Sequence, residues 1–229
     1  MSAIPFLIEP LAAYLRAQGL AGGDAMQVVP LSGGQSNPTF RITAGQNAYV
    51  LRKKPAGVLA PSAHAIDREY RVMKALQGTD VPVPRMLAYC EDESIVGTPF
   101  YLMDFLQGRV FMDPALPGME PAERAAIYRE MGSVMAALHS VDLAAVGLSD
   151  YGRTGRYVER QIDRWSRQCR ALSVPLDPAM LALMEWLPAH LPEGDETTLV
   201  HGDYRIDNLV FHPTEPRVIG VLDWELSTL

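Results

Sequence analysis

Residues 199–225, LVHGDYRIDNLVFHPTEPRVIGVLDWE, constrain the fold of this chain more than any other stretch. Leu199 and Val200 give a short apolar entry to His201, Gly202 and Asp203, and Asn208 precedes a second apolar run, Leu209 to Phe211. The segment from Pro213 to Pro216 is a turn by composition, and Val218 to Leu222 is apolar around one glycine. The pattern predicts strand, loop, strand, turn, strand, and then Asp223. Three acceptor side chains, Asp203, Asn208 and Asp223, thereby come to the mouths of short strands.

These are hard oxygen donors with no thiolate among them, a set suited to Mg2+ carried on a nucleotide rather than to zinc or copper. Phosphoryl transfer needs a carboxylate to accept a hydroxyl proton, and an amide and a second carboxylate to hold metal on the phosphates. Asp203 is the candidate for the first role, and Asn208 and Asp223 for the second. The spacing H-G-D-x-x-x-x-N, followed fifteen residues later by Asp223, resembles a kinase catalytic loop and its metal aspartate. With Gly202 in place of the usual Arg, and Asp-Trp-Glu in place of Asp-Phe-Gly, the stretch is similar to the aminoglycoside phosphotransferase and choline kinase-like family of small-molecule kinases. That resemblance implies an α+β, bilobal protein-kinase-like fold. A nucleotide-binding lobe with its hinge is expected over residues 1–106 and a mainly helical catalytic lobe over 107–229. His201 is expected as a buried, hydrogen-bonded brace, because the family role of this ring is structural. Arg205 stands where protein kinases carry a catalytic-loop Lys, and a phosphate contact and plain exposure both stay open for it. His212 suggests no metal cluster, since no third nitrogen ligand is suitably spaced.

The front of the chain supplies the other half of such a site. Leu7, Leu11, Tyr14 and Leu15 follow a helical period, with Gly19 as the stop. Three short strands follow, Val28 to Leu31, Thr39 to Thr43 and Ala48 to Arg52, and an antiparallel sheet is the simplest outcome. The first turn between them contains Gly33, Gly34 and Ser36. Its glycines permit close backbone approach to a phosphate, although an ordinary hairpin turn has the same composition. The motif S-G-G-x-S-N-x-T-F resembles the family's nucleotide loop. Aligning YVLR on the kinase V-A-I-K places Arg52 where the phosphate-binding Lys stands, with Lys54 as the alternative of the same strand parity.

Pro61 and Ser62 introduce a helix with Ile66, Tyr70, Met73 and Leu76 at helical spacing, ended by Gly78. By analogy with kinases its Glu69 would pair with Arg52; a solvated surface carboxylate is the other reading. Met86 to Tyr89 and Phe100 to Phe105 complete five strands around a polar turn. FYLMDFLQG then resembles the family's hinge, with backbone groups of Asp104, Phe105 and Leu106 recognising adenine and Gly108 loosening the exit. Pro121 to His139 reads as a long core helix, with His139 a helix-end residue. Tyr157 to Arg170, bearing the stripe Val158, Ile162, Trp165 and Cys169, and Met180 to Leu187 before Pro188, read as packing helices or part of an acceptor wall.

At 229 residues and 48% hydrophobic, the chain can bury a sizeable core. A net charge of -7 with scattered basic residues argues against a nucleic-acid partner. No stretch is long enough to span a bilayer, the N-terminus lacks a basic n-region, and Cys90 and Cys169 read as buried free thiols, all pointing to a cytoplasmic protein without a membrane partner. The fragments LRKKP, SAHAIDREY and RQIDRWSRQ resemble the branch of the family associated with acyl-CoA dehydrogenases. The expected activity is transfer of the γ-phosphoryl group of ATP, with Mg2+, to a hydroxyl of a small molecule, hydroxyacyl-CoA-like or aminoglycoside-like. The family continues through further helices beyond the equivalent of Leu229. Either a fragment or a shortened protein is therefore expected, with association through uncovered surface of the catalytic lobe. The alternative is a nucleotide-binding or regulatory module without turnover.

Overall fold

The computed structural model describes residues 4–22, 25–31, 37–57, 65–194 and 196–229. Helix α1 (Ile8–Ala17) is followed by β1 (Met26–Pro30), β2 (Thr39–Ala44) and β3 (Asn47–Lys53), then α2 (Ile66–Leu76), β4 (Met86–Cys90), the one-turn α3 (Glu93–Val96) and β5 (Phe100–Asp104). The five strands form one antiparallel sheet in the order β1-β2-β3-β5-β4. The second half contains α4 (Pro121–His139), α5 (Tyr157–Arg170), α6 (Pro178–Ala189), a 3-10 turn (Ile206–Asn208) and the ribbon β6 (Leu209–Phe211) with β7 (Val218–Val221). This is the bilobal α+β architecture expected from the sequence. Ser62 lies outside the described residues, and the helix it was expected to cap begins at Ile66.

The period-two alternation of β3 and β5 gives the sheet two apolar faces. Leu51, Phe100 and Leu102 turn outward with Leu11 and Leu15 of α1 to form one core. Val50, Tyr101 and Met103 turn inward to a second core, shared with Val72, Met73 and Leu76 of α2 and with Leu209, Phe211, Val221 and Trp224 of the second half. Lys53, on the outward face, donates to the carbonyl of Val96 and lies over the Phe6 ring. Arg52 has the inward parity.

Several elements depart from the sequence reading. The expected first strand at Leu199 and Val200 is a single bridge, Val200 to Thr228. The polar turn after β4 winds into α3, capped by Asp92, whose side chain accepts from Ser94 N–H, and closed by Gly97 at φ 84. Helix α6 runs through Pro188, which falls in its last turn, and starts at Pro178 behind an Asp177 cap. Helix α5 contains no buried residue, and Val158 and Trp165 of its stripe are exposed. That stripe is amphipathic by pattern, yet among the described residues it seats nothing in either core. Cys90 is buried as expected, whereas Cys169 is half-buried.

Gly108 does not loosen the link between the halves. A Cβ there would stand 2.3 Å from the Phe211 carbonyl oxygen and 2.6 Å from a Val210 methyl. Its neighbour Arg109 exchanges both backbone hydrogen bonds with Phe211, at 2.8 Å each. The glycine is needed for close approach, and the crossing is pinned rather than free.

Candidate active site between the two lobes

The loop from His201 to Asn208 is held by its own backbone and two side chains. Gly202 has φ +85 and packs so closely that a Cβ would lie 2.3 Å from the Leu226 carbonyl oxygen. An Arg could not stand there without moving that strand of backbone, which accounts for the departure from the kinase pattern. His201 is buried; its Nε2 donates to the Leu222 carbonyl at 2.9 Å, and its Nδ1 accepts from the Asp203 amide at 3.3 Å. This fixes the neutral tautomer, and burial lowers the imidazole pKa below 6.5. The ring is the brace expected of it.

Asn208 directs its Nδ2 to the Asp203 carbonyl at 2.9 Å and to Asp203 Oδ2 at 3.0 Å, so the amide oxygen remains as its free ligand atom. Leu222 N–H donates to the Asn208 carbonyl at 2.9 Å, stitching the loop to the end of β7. Asp223 then takes φ 64, a left-handed conformation uncommon for a side-chain-bearing residue, and turns the chain as it leaves the ribbon. Trp224 is fully buried behind it, 4.5 Å from the His201 ring and donating to the Val221 carbonyl at 2.9 Å.

Arg52 reaches this group from β3. Its Nη2 lies 2.7 Å from Asp223 Oδ1 and 3.7 Å from Glu225 Oε2, and its Nε lies 3.2 Å from Glu69 Oε2 without an aligned hydrogen bond. Glu69 is fully buried in the middle of the packed face of α2, not solvated. It accepts from Tyr101 Oη at 3.0 Å and from Asn37 Nδ2 at 3.0 Å, and Asn37 also reaches Glu225 at 3.5 Å. Burial pushes the Glu69 carboxyl up to about 7, opposed by Arg52 and the Tyr101 hydrogen bond. Burial works against the guanidinium too, but Glu69, Tyr101, Asp223 and Glu225 together raise the Arg52 pKa above its ordinary value. Carboxylate oxygens of Glu69, Asp223 and Glu225 lie within 4.8 Å of one another, a spacing that would suit a metal. Arg52 already neutralises that cluster from within.

A cleft of about 380 Å³ opens beside these groups, lined by Val50, Arg52, Met103, Asn208, Leu222 and Asp223 among others. Asp104, Phe105 and Leu106 also line it. The amides of Asp104 and Phe105 are committed to the carbonyls of Arg85 and Ala48, at 3.0 and 3.2 Å, and the Asp104 carboxylate to the Arg85 guanidinium. Among the described residues, only Leu106 of the three keeps a backbone N–H without such a partner, so the hinge contribution narrows to it and to carbonyls. A larger cavity of about 480 Å³, lined by Arg156, Tyr157, Thr197 and Leu229, carries none of this chemistry.

The structure thus brings Arg52, Asn208 and Asp223 to one cleft with the Asp104–Leu106 segment, with Glu69 buried against Arg52 and Asp203 bonded to Asn208. Gly33, Gly34 and Ser36 lie outside the described residues. Arg205 is exposed and pairs with Asp207, at 3.0 Å from Nε. Lys54 is not among the cleft's lining residues. The reading of the sequence passed over Asn37, Tyr101 and Glu225. Asn37 is the asparagine of the S-G-G-x-S-N-x-T-F motif, and Glu225 ends Asp-Trp-Glu; Tyr101 shared parity with Met103 but gave no other sign.

The chain is similar to known proteins over most of its length. The model of the phosphotransferase enzyme family matches residues 27–229. This chain belongs to that family. It is 52% identical over 224 residues to acyl-CoA dehydrogenase family member 10 of Mus musculus, covering 96% of this chain and 21% of the relative. A solved putative aminoglycoside phosphotransferase from Ralstonia eutropha JMP134 is 53% identical with a TM-score of 0.87, over 97% of this chain and 66% of that one. The phosphotransferase APH(2″)-IIa, in a ternary complex with streptomycin and ATP, shares the fold at 18% identity and a TM-score of 0.63, over 100% of this chain and 72% of that one. The chain therefore spans about a fifth of the mouse relative and 66% of the solved bacterial one.

Proposed function

We propose that this phosphotransferase-family chain uses Mg2+ and ATP to phosphorylate a hydroxyl of a small molecule. The observation that carries the reading is the 2.7 Å contact between Arg52 of the sheet and Asp223 of the opposite lobe, in a cleft that Asn208 also lines. Groups able to hold phosphates and groups able to hold a metal therefore face one space. The residues fit the ion: Asn208 has an amide oxygen to offer, and Asp223 adds a carboxylate oxygen. Bound Mg2+ would offset charge on the phosphates.

Asp203 is the proton acceptor in this reading. Its Oδ2 is oriented by Asn208, leaving Oδ1 for the acceptor hydroxyl. As the acceptor oxygen bonds to the γ-phosphorus and the bond to the β-phosphate oxygen breaks, that proton passes to Asp203. Arg52, held by Glu69, orients the phosphates, and the Leu106 N–H with neighbouring carbonyls meets adenine. The turn with Gly33, Gly34 and Ser36 would cover the phosphates.

The acceptor is best read as a hydroxyacyl thioester. A phosphotransferase-family segment forming about a fifth of a protein called an acyl-CoA dehydrogenase family member makes sense if both parts meet related acyl substrates. An aminoglycoside would need several carboxylates around its amines. The test is ADP release and phosphorus NMR with a panel of hydroxyacyl-CoA esters, simple alcohols and aminoglycosides, beside calorimetric binding of Mg·ATP. Asp203→Asn is expected to cut turnover by about 10²–10⁴-fold while Mg·ATP binding is kept. Binding without turnover in the unmutated chain would instead favour a nucleotide-binding module.

A further inference from the structure

A hydroxyl at Asp203 belongs to a larger acceptor, and the rest of that molecule needs a place to lie. A cavity of about 350 Å³ stands beside the loop that bears Asp203 and Asn208. It is walled by Met112 and Pro114 beyond the hinge, by Tyr128 and Met131 of α4, and by residues 205–207 of the loop itself. Its volume falls within the range of small-molecule sites, roughly 300–1,000 Å³. Met112 and Asp207 also line the nucleotide cleft, so the two spaces adjoin. The larger cavity near Leu229 shares no lining residue with that cleft among the described residues. Hydrogen bonds fix the wall to the loop: Tyr204, next to Asp203, donates its hydroxyl to the Met131 carbonyl at 2.8 Å, and Tyr128 Oη donates to the Pro114 carbonyl at 2.5 Å.

The chemistry of the wall selects what can enter. Two methionines, a proline, a tyrosine ring and Ile206 make it largely apolar. Asp207, the one carboxylate among its described lining residues, is already paired with Arg205, whose Nε lies 3.0 Å away. A polycation would find no spare anion there, and an ammonium taken from water without one is costly. An alkyl chain gains by leaving water, and methionine side chains adapt to its shape. Met112 is 73% exposed, so the cavity is open to solvent at that end. We propose that this cavity is an acyl subsite, which takes the alkyl chain of a hydroxyacyl acceptor whose hydroxyl lies against Asp203, and that Tyr128 and Met131 set the preferred chain length. The inference rests on the hydroxyacyl reading above, because only an acceptor with an apolar chain makes use of such a wall.

Burial of a chain remote from the reacting atoms is equal in the ground and transition states, so it acts on KM and not on kcat. ADP release is measured for the wild type with hydroxyacyl-CoA esters of increasing chain length, the hydroxyl kept at one distance from the thioester. The expected result is a rise in kcat/KM of roughly threefold to fourfold per added methylene, carried by KM at level kcat, until the cavity is full. Tyr128 is 45% exposed and is not among the residues lining the nucleotide cleft, so Tyr128→Glu sets a charge against the chain without burying it in a core. The variant is expected to cut the preference for long over short chains about tenfold or more. If it does not fold, Tyr128→Ala removes the ring with a good helix former and is expected to cut the same preference about threefold or more. A wild type whose kcat/KM is flat with chain length, or a folded variant that keeps the wild-type preference, overturns the acyl subsite and leaves the kinase reading standing. A wild type that turns over no hydroxyacyl acceptor overturns the hydroxyacyl reading and the subsite together.

Discussion

His201 and Glu69 are both buried beside the cleft, and burial moves their titrations in opposite directions. For His201 the folded pKa lies below 6.5, so the neutral ring contributes stability above that pH, and the contribution is lost as pH falls through the folded value. His201→Gln should cost about 1–3 kcal/mol near neutral pH, because the Leu222 carbonyl and the Asp203 amide lose their aligned partners. That penalty should shrink with acidification, read as the difference in thermal midpoint between roughly pH 8 and pH 5. Glu69, raised from 4.5 to about 7, behaves in reverse: its contribution is present below 4.5 and disappears as pH rises through 7. The wild-type advantage over Glu69→Gln should therefore fall across that interval, and a constant difference would show that Arg52 keeps the carboxyl ionised throughout. The grouping of Asp203, Asn208 and Asp223 was legible because these oxygen donors fall at fixed spacing beside short apolar runs. Asn37 and Tyr101 were not, since an amide beside a turn and a tyrosine in an apolar strand have many ordinary uses, and only the fold aims both at Glu69.

Elements with strong periodicity were predictable almost to the residue: Tyr157–Arg170 and Pro121–His139 match their spacing. What the pattern could not give was contact. The stripe of α5 is as regular as that of α2, yet α2 fills a core and α5 does not, because burial depends on the facing surface as well as on the helix. Glycine was equally ambiguous, since conformational freedom and close approach both select it. Gly108 separates the two meanings. If it served as a hinge, Gly108→Ala would be mild; with a Cβ 2.3 Å from a backbone oxygen of β6, the crossing must shift instead. The variant should lose about 1–3 kcal/mol or more in urea denaturation and should weaken Mg·ATP, because the neighbouring Leu106 moves with it. Unchanged stability would restore flexibility as the reason for glycine at this position.

At the scale of the whole molecule, two lobes need not mean two folding units. The inner core runs without a break from Val50 and Met103 of the sheet, through Val72 and Leu76 of α2, to Phe211, Val221 and Trp224. Polar ties reinforce the same junction. Arg68 of α2 donates to the Ser227 carbonyl at 3.3 Å and stacks over Tyr151, whose hydroxyl lies 2.6 Å from Ser227 Oγ. Arg71 bonds the Gly147 carbonyl at 3.0 Å, and Val221 N–H donates to the Pro82 carbonyl at 2.8 Å. Helix α2, which holds Glu69 against Arg52, is thus anchored to the lobe that bears Asn208 and Asp223 rather than left to swing. A core shared in this way predicts cooperative loss of both halves. Leu76→Ala removes a fully buried side chain from the sheet side of that core, at an expected cost of about 2–5 kcal/mol. Trp224 reports on the other side, where it is fully buried. If the lobes unfold as one, urea transitions followed by tryptophan fluorescence and by far-ultraviolet ellipticity coincide in the wild type, and the substitution moves both midpoints by the same amount. Should the ellipticity midpoint move while the fluorescence midpoint stays, the second half folds independently of α2. The ion pair between Arg52 and Asp223 would then be a contact between separately stable parts.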